Sequence, residues 1–320
     1  MKKLLSVLFF LYSLTGVSQF DDSVDSLALK HHILEYKVTN LKSVNGDTSL
    51  ANRMMELRRF NENGRPVYEY TFNVDVIYTI DSTVYTYDEK GNPVEMVNYY
   101  IDYPIGKEQE DFLKDMGTGA DTLIRRRKNF YNVKDQLIKT EWYEAGDLSF
   151  QTLRTYDSEG RLATEESKHF VLAEVNDYQA SFQYNPSGKL IYQKVIFPNE
   201  DNRMEERHIS YDPKGNKLKD VEQGKFGSTE TDYLYDGNGR LIEIRKVVTE
   251  IFGKRIIKTL YAYDAQGRLA ELKEYNGEEL HKWSRYRYNE KGLKSEEDRM
   301  NVRTRGEVAG TVLYEYLFFE

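Results

Sequence analysis

Apolar and polar residues along most of this chain alternate with a period of two, and runs with a helical period are nearly absent. Period two puts residues i and i+2 on one side of an extended strand. In YAYDAQGRLAELKEY, residues 261–275, one such run ends in Tyr263, a polar turn follows, and a second run begins at Leu269. Nearly the same phrase, YLYDGNGRLIEIRKV, occupies residues 233–247. Alignment on the turn Asp or Asn gives nine copies, at Asn61, Asp88, Asn132, Asp157, Asn185, Asp212, Asp236, Asp264 and Asn289. Successive copies lie 27, 44, 25, 28, 27, 24, 28 and 25 residues apart, a period that marks a repeat architecture.

Each copy carries its own turn chemistry. The Asp or Asn side chain can accept a hydrogen bond from the backbone two residues on, and a Gly three residues later can adopt φ > 0. That combination predicts a type I turn closed by a glycine bulge. The turn pairs are Asp88 and Gly91, Asp157 and Gly160, Asn185 and Gly188, Asp212 and Gly215, Asp236 and Gly239, Asp264 and Gly267, and Asn289 and Gly292, with Asn61 and Gly64 before them. The copy at Asn132 has Asp135 in the Gly position, so its turn is expected to be strained or rearranged. Looser turns such as Asn276-Gly277 join one copy to the next, so the chain reads as a meander of antiparallel hairpins.

Two strands per copy and a terminal strand, VLYEYLFF, amount to roughly twenty strands, about 95 Å of sheet at ~4.8 Å per strand. Open twisted sheets of that width curl or split. The fold class is therefore all-β: tandem hairpin repeats forming a long coiled or tube-like sheet, with a repeat domain at residues 51–320. Full closure of that width would give a diameter of about 30 Å between backbones by the same strand spacing. VLYEYLFF, with Tyr314 and Tyr316 in the aromatic slots and no turn, is expected to act as a capping strand. The longest gap holds an insert in which Lys107–Met116 is expected to form a short helix, with Gly117 past its end. Residues 19–50 lack the motif and are expected to form an N-terminal cap or a partly disordered lead.

Residues 1–18 read as a secretory signal: Lys2 and Lys3, an apolar run from Leu4 to Leu14, then Gly16-Val17-Ser18. The run is too short to cross a bilayer as a helix, and no transmembrane span is expected in the mature chain. Cleavage leaves 43 basic against 53 acidic residues, a charge of −10. An acidic exported chain is a poor partner for nucleic acid, whose phosphates need a basic face. With no cysteine, disulfides, thiolate metal sites and a lipoprotein anchor are ruled out.

The phrase Y-x-Y-D-x-x-G-R-L, nearly whole at 233–241 and 261–269 and partial at 85–93, 154–162 and 286–292, resembles the YD repeat of Rhs-type proteins. The likeness covers roughly residues 56–320. It implies a spiral or shell of hairpins that serves as an interaction scaffold. It also implies a small, exported, repeat-only member of the kind found in the envelopes of Bacteroidetes-like bacteria, since the chain ends in a repeat strand where toxin-bearing members carry an effector domain. The copies at Asn61 and Asp88, with GRPV and GNPV after the turn, are also somewhat similar to MORN-type hairpin repeats.

Tyrosine accounts for 26 residues, many in the two slots before each turn. Stacked across strands, these rings are expected to form the core. The sharper alternative is a concave platform for sugar rings or a peptide, with Tyr85, Tyr233, Tyr261 and Tyr286 as its binding residues. A lipid-facing barrel is disfavoured, because EELHKWSRYRY, residues 278–288, places charges in both parity classes. His31, His32, His169, His208 and His281 are scattered without metal or catalytic spacing, and no GxSxG or phosphate-binding loop occurs. No cofactor, metal or catalytic residue is implied. The basic run Arg125-Arg126-Arg127-Lys128 would split between the two faces of a strand and is expected to be solvated or to protect an edge, the alternative being contact with a partner's acidic groove. The expected function is that of a non-enzymatic periplasmic or cell-surface scaffold binding an envelope protein or glycan. The alternatives are a carbohydrate-active enzyme or accessory module, and a toxin-associated or immunity-type protein.

Overall fold

The computed structural model describes residues 28, 30–40, 53–74, 78–102, 123–171, 177–300 and 308–319, and all twenty of its elements are strands. Strand β1 (Ile33–Asn40) comes first. Nine hairpins follow, the first four being β2 (Arg53–Phe60) with β3 (Pro66–Val74), β4 (Tyr78–Tyr87) with β5 (Pro93–Asp102), β6 (Leu123–Tyr131) with β7 (Leu137–Glu144), and β8 (Asp147–Tyr156) with β9 (Leu162–His169). The next are β10 (Tyr178–Tyr184) with β11 (Leu190–Phe197), β12 (Arg203–Tyr211) with β13 (Lys217–Gly224), and β14 (Gly227–Tyr235) with β15 (Leu241–Glu250). The series ends with β16 (Gly253–Tyr263) and β17 (Leu269–Asn276), then β18 (Glu279–Tyr288) and β19 (Lys294–Met300), and a last strand, β20 (Val308–Phe318).

Every strand pairs antiparallel with its neighbours in sequence, and β20 pairs with β1, Tyr316 opposite Tyr36 and Tyr314 opposite Val38. The sheet therefore closes into a twenty-stranded barrel with no free edge. The expected tube is present and closed. Two expectations change. VLYEYLFF has a strand on each side and does not cap an edge, and Ile33–Asn40 of the expected N-terminal lead is a full member of the wall. Together β20 and β1 stand where a tenth hairpin would be, β20 supplying the strand before the turn and β1 the strand after it. The expected helix at 107–116 lies outside the described residues.

The turns explain the repeat phrase. In the copy at Asp264 the amide of Gly267 donates to the Asp264 carbonyl (3.0 Å) and the Asp264 amide donates to the Arg268 carbonyl (2.8 Å). Oδ1 of Asp264 accepts from the amides of Gln266 (3.0 Å) and Arg268 (2.8 Å), while Oδ2 accepts from Arg268 Nε (2.7 Å). Gly267 sits at φ 81°, and the residue pairing shifts by one just before the turn, as a glycine bulge requires. At the exceptional copy, Asp135 takes φ 59° and keeps the same two backbone bonds, at 3.0 Å each. The turn is strained as expected but not rearranged, because Asp tolerates the left-handed region better than most residues.

A second device locks each hairpin to the one before it. Tyr87, Tyr131, Tyr156, Tyr184, Tyr211, Tyr235, Tyr263, Tyr288 and Tyr316 each donate a hydroxyl hydrogen bond to a backbone carbonyl of the preceding copy, five residues past its turn Asp or Asn. The Arg of the phrase lies over the same ring in several copies, Arg240 over Tyr263 at 4.9 Å and Arg268 over Tyr288 at 4.6 Å. Asp, Arg and Tyr of Y-D-x-x-G-R-L are thus one linked unit spread over two repeats.

Register assigns the faces. One face holds Asn129, Thr140, Thr152, Glu165, Ala180, Val195, Phe197, Ile209 and Asp220, all buried, while Leu153 and Met204 on the same strands' other face are exposed. The first face is the concave inner wall. The seam is the best-packed region: Ile33, Tyr36, Val38, Phe60, Leu293 and Val312 form an apolar cluster with Ala28. Around β2 to β4 the outer face is covered as well, with Leu57, Tyr70, Phe72 and Ile80 buried.

Candidate functional site

The inner wall is more polar than an ordinary core, and its charges are organised in cross-strand sets. Arg154 on β8 donates to Glu165 on β9 (2.7 Å) and to Thr140 on β7 (2.8 Å), and Tyr178 on β10 donates to the other Glu165 oxygen (2.6 Å). Arg207 on β12 grips both oxygens of Asp220 on β13, at 2.8 and 2.5 Å. Ser284 and Tyr314 each donate to Glu297 at 2.8 Å, and Tyr85 donates to Glu69. A buried charge must be paired and hydrogen-bonded to be tolerated, and these sets meet that condition.

Of the four tyrosines expected to bind, Tyr85, Tyr233, Tyr261 and Tyr286 all lie on the inner wall in the first aromatic slot. Burial, then the hydrogen bond to Glu69, pushes the Tyr85 hydroxyl well above its usual pKa. Burial also raises Tyr233, with the nearby Asp220 charge adding to it, and raises Tyr261. Lys294 stands over the Tyr286 ring at 4.8 Å. The structure spreads these four around the wall and does not gather them into one platform. Tyr233 lines a small inner cavity of about 160 Å³ with Arg207, Asp220, Glu222, Lys246 and two threonines. There the two carboxyls move in opposite directions. Burial raises Glu222, whereas for Asp220 the hydrogen bond and charge of Arg207 overcome burial and lower it.

A different inner-wall group, not singled out by the tyrosine pattern, is gathered. Arg127, Trp142, Phe150 and His169 are direct cross-strand partners on β6, β7, β8 and β9. The Arg127 guanidinium lies 5.4 Å from the Trp142 ring centre. Trp142 stacks on Phe150 and Phe150 on His169, each at 5.2 Å, and His169 Nδ1 lies 3.3 Å from Asp177. The row runs close to the rim opposite the Asp turns, since β7 and β8 end at the tight Ala145-Gly146 connection. The basic run does split: Arg125 and Arg127 face inward, while Arg126 and Lys128 face outward. Arg127 is shielded on the inner wall and is not a solvated charge. Burial, then the neighbouring Arg154, lowers its pKa. The signal that would have found this row is strand register, because Trp142, Phe150 and His169 fall outside the repeated slots.

The outer face carries ion pairs along the barrel's length, among them Lys219 with Glu230 (2.5 Å), Lys139 with Glu141 (3.0 Å) and Arg285 with Glu271 (3.5 Å).

No family model matches the chain, and no curated protein matches it. Among solved structures the chain is similar to a porin-like protein from Bacteroides uniformis, at 8% identity and TM-score 0.41, over 89% of this chain and 98% of that one. A porin-like protein from Bacteroides vulgatus is similar at 11% identity and TM-score 0.30, over 90% and 100%. The crystal structure of TcdB2-TccC3-TEV is similar at 13% identity and TM-score 0.35, over 86% of this chain but only 18% of that one. The chain thus spans less than a fifth of that larger structure.

Proposed function

We propose that the protein is an exported, non-enzymatic scaffold of the Rhs-type repeat kind that holds a glycan or an extended peptide of the cell envelope against its inner wall. The observation that carries this reading is the row Arg127, Trp142, Phe150 and His169, all partly accessible and placed near one rim of a closed barrel. The outer face supports an aqueous compartment, because a lipid-facing band must be apolar over its height and this one carries ion pairs. The test is capture from envelope extract on the immobilised protein, with proteins and polysaccharides both read out, beside a Trp142→Ala variant. Saturable capture that weakens in the variant supports the reading, and absence of any saturable capture sinks it.

A second reading, glycan cleavage, draws on Asp220 and Glu222, two inner-wall carboxyls displaced in opposite directions as acid and base pairs are. Against it, both Asp220 oxygens are already held by Arg207. Release of reducing ends from an envelope glycan by the wild type, and not by Glu222→Gln, would favour this second reading.

A further inference from the structure

Arg127 differs from its arginine neighbours on the inner wall. Arg154, Arg207 and Glu165 all have charged partners, and Arg125 pairs with Glu144 at 3.2 Å. Among the described residues no ion pair reaches Arg127, and its Nε is fully buried without a hydrogen-bond partner. Its direct neighbours are Met96 on β5 and Trp142 on β7, neither of which can neutralise it. A guanidinium partly shielded from water and without an ion pair or hydrogen bond gains from an anion at its open nitrogens. This stretch of the wall therefore presents a shielded cation without a paired anion.

We propose that Arg127 is the anchor of a carboxylate-binding site for an acidic saccharide, an inference that rests on the binding-scaffold reading above. One uncompensated positive charge matches one carboxylate. A phosphate dianion in the same shielded place would need a second free cation, and Arg125 and Arg154 are already paired. The flat guanidinium fork suits the planar two-oxygen geometry of a carboxylate, which would meet its open nitrogens while Nε stays shielded. The rings of Trp142 and Phe150 stack on each other, so their edges, the electropositive part of an aromatic ring, are left for a ligand beside the guanidinium. The position near the rim lets a chain end or a side branch enter while the rest of a polymer stays outside.

The test uses Trp142 as its own reporter. The chain has two tryptophans, so Trp283→Phe leaves Trp142 as the single indole, 5.4 Å from Arg127. In that background the purified protein is titrated with glucuronate, an oligomeric uronate, glucose and inorganic phosphate. The expected result is a saturable emission change with the uronates, none with glucose, and at least tenfold weaker binding of phosphate. Arg127→Gln should lose uronate binding by tenfold or more, and Arg127→Lys should lose less. Arg127→Gln should not lower the melting temperature, because it removes a half-buried charge that no ion pair or hydrogen bond compensates, whereas a purely structural Arg127 would show a fall. Equal binding of glucose and glucuronate, uronate binding that survives Arg127→Gln, or phosphate binding as tightly as uronate would each overturn the assignment. If envelope material is still captured in those cases, the scaffold reading survives. If the wild type captures nothing and binds no uronate, both fail.

Discussion

The hydroxyl of Tyr263 donates to the backbone carbonyl of Leu241, 2.7 Å away and 22 residues back, tying one hairpin to the strand that opens after the previous turn. A carbonyl of this kind left unpartnered beside a ring costs roughly 1 to 2 kcal/mol. Tyr263→Phe should therefore destabilise by about 1 kcal/mol, and Tyr235→Phe, which removes the equivalent bond to Lys217, by a similar amount. The two sites belong to successive rungs, so urea unfolding of the double variant should show whether rungs act independently or as one cooperative set. A loss well above the sum would indicate the latter.

The turns offer opposite substitutions. Gly267 sits at φ 81°, and Gly267→Ala forces a Cβ into the left-handed region, at an expected cost of about 1 kcal/mol. Asp135 already bears that strain at φ 59°, and its ion pair with Lys90 is exposed, so Asp135→Gly should stabilise by a few tenths of a kcal/mol to about 1. Melting temperatures of the two variants should move in opposite directions. A fall with Asp135→Gly would show that the Lys90 contact matters more than the backbone.

Acid should loosen the hairpins. Backbone amide hydrogen bonds, from Asn92 to Asp88 and from Arg240 to Asp236, hold both carboxyls below their usual range. A carboxyl whose folded pKa is depressed contributes stability above its unfolded value, near 4, and loses it as pH falls through the folded value. Melting temperature should be flat around neutrality and drop below about pH 4. Asp88→Asn and Asp236→Asn together should shift part of that drop to lower pH, and an unchanged acid profile would remove the turn aspartates as its cause.

Alkali acts through the tyrosine rungs with the opposite sign. Burial first, with Tyr261 adding, pushes Tyr263 up to about 12, and burial likewise raises Tyr156, Tyr184, Tyr211 and Tyr235. Groups whose neutral form is favoured by folding contribute fully below about pH 10 and lose that contribution as pH rises through their folded values. Tyrosinate absorbance should rise late and together with loss of strand circular dichroism, between roughly pH 11 and 12.5. Early ionisation near pH 10 with the fold intact would contradict the buried rungs.

Closure makes the last strand indispensable. Removing residues 308–320 would free the edges of β1 and β19 and open the seam cluster of Tyr36, Val38 and Val312. Unpaired edges recruit other chains, so the truncated protein should elute as oligomers or aggregates where the full chain is a smaller species. A truncated chain that stays monomeric and folded would mean the barrel tolerates opening.

The hairpins, their turn type, the strand count and the strain at Asp135 were legible because each is written locally, in residues within a few positions of one another. β1 was not, because the strand that completes its hairpin is β20, at the far end of the chain, and neither Ile33–Asn40 nor VLYEYLFF carries a turn. The Tyr263 to Leu241 rung was half legible: the slot was visible, but its partner is a backbone group that no side-chain pattern announces. Arg127 was misread although the run was expected to split between two faces, because nothing local shows that one of those faces is a shielded inner wall. Trp142, Phe150 and His169 lie outside the repeated slots, and a repeat alignment draws the eye to what is shared, whereas binding chemistry sits in what differs.

The meeting of β20 with β1 also means that the wall has no intrinsic beginning. The amide of Phe319 donates to the carbonyl of His32 at 2.8 Å, where the other nine positions around the ring have a covalent turn. A short linker of the Asp-x-x-Gly type joining the two ends, with the chain cut instead at any exposed connection such as Asn276-Gly277, should give the same ring from a rotated sequence. The break in the chain is then one of several interchangeable places on either rim, and the inner row at Arg127 would keep its geometry whichever is chosen.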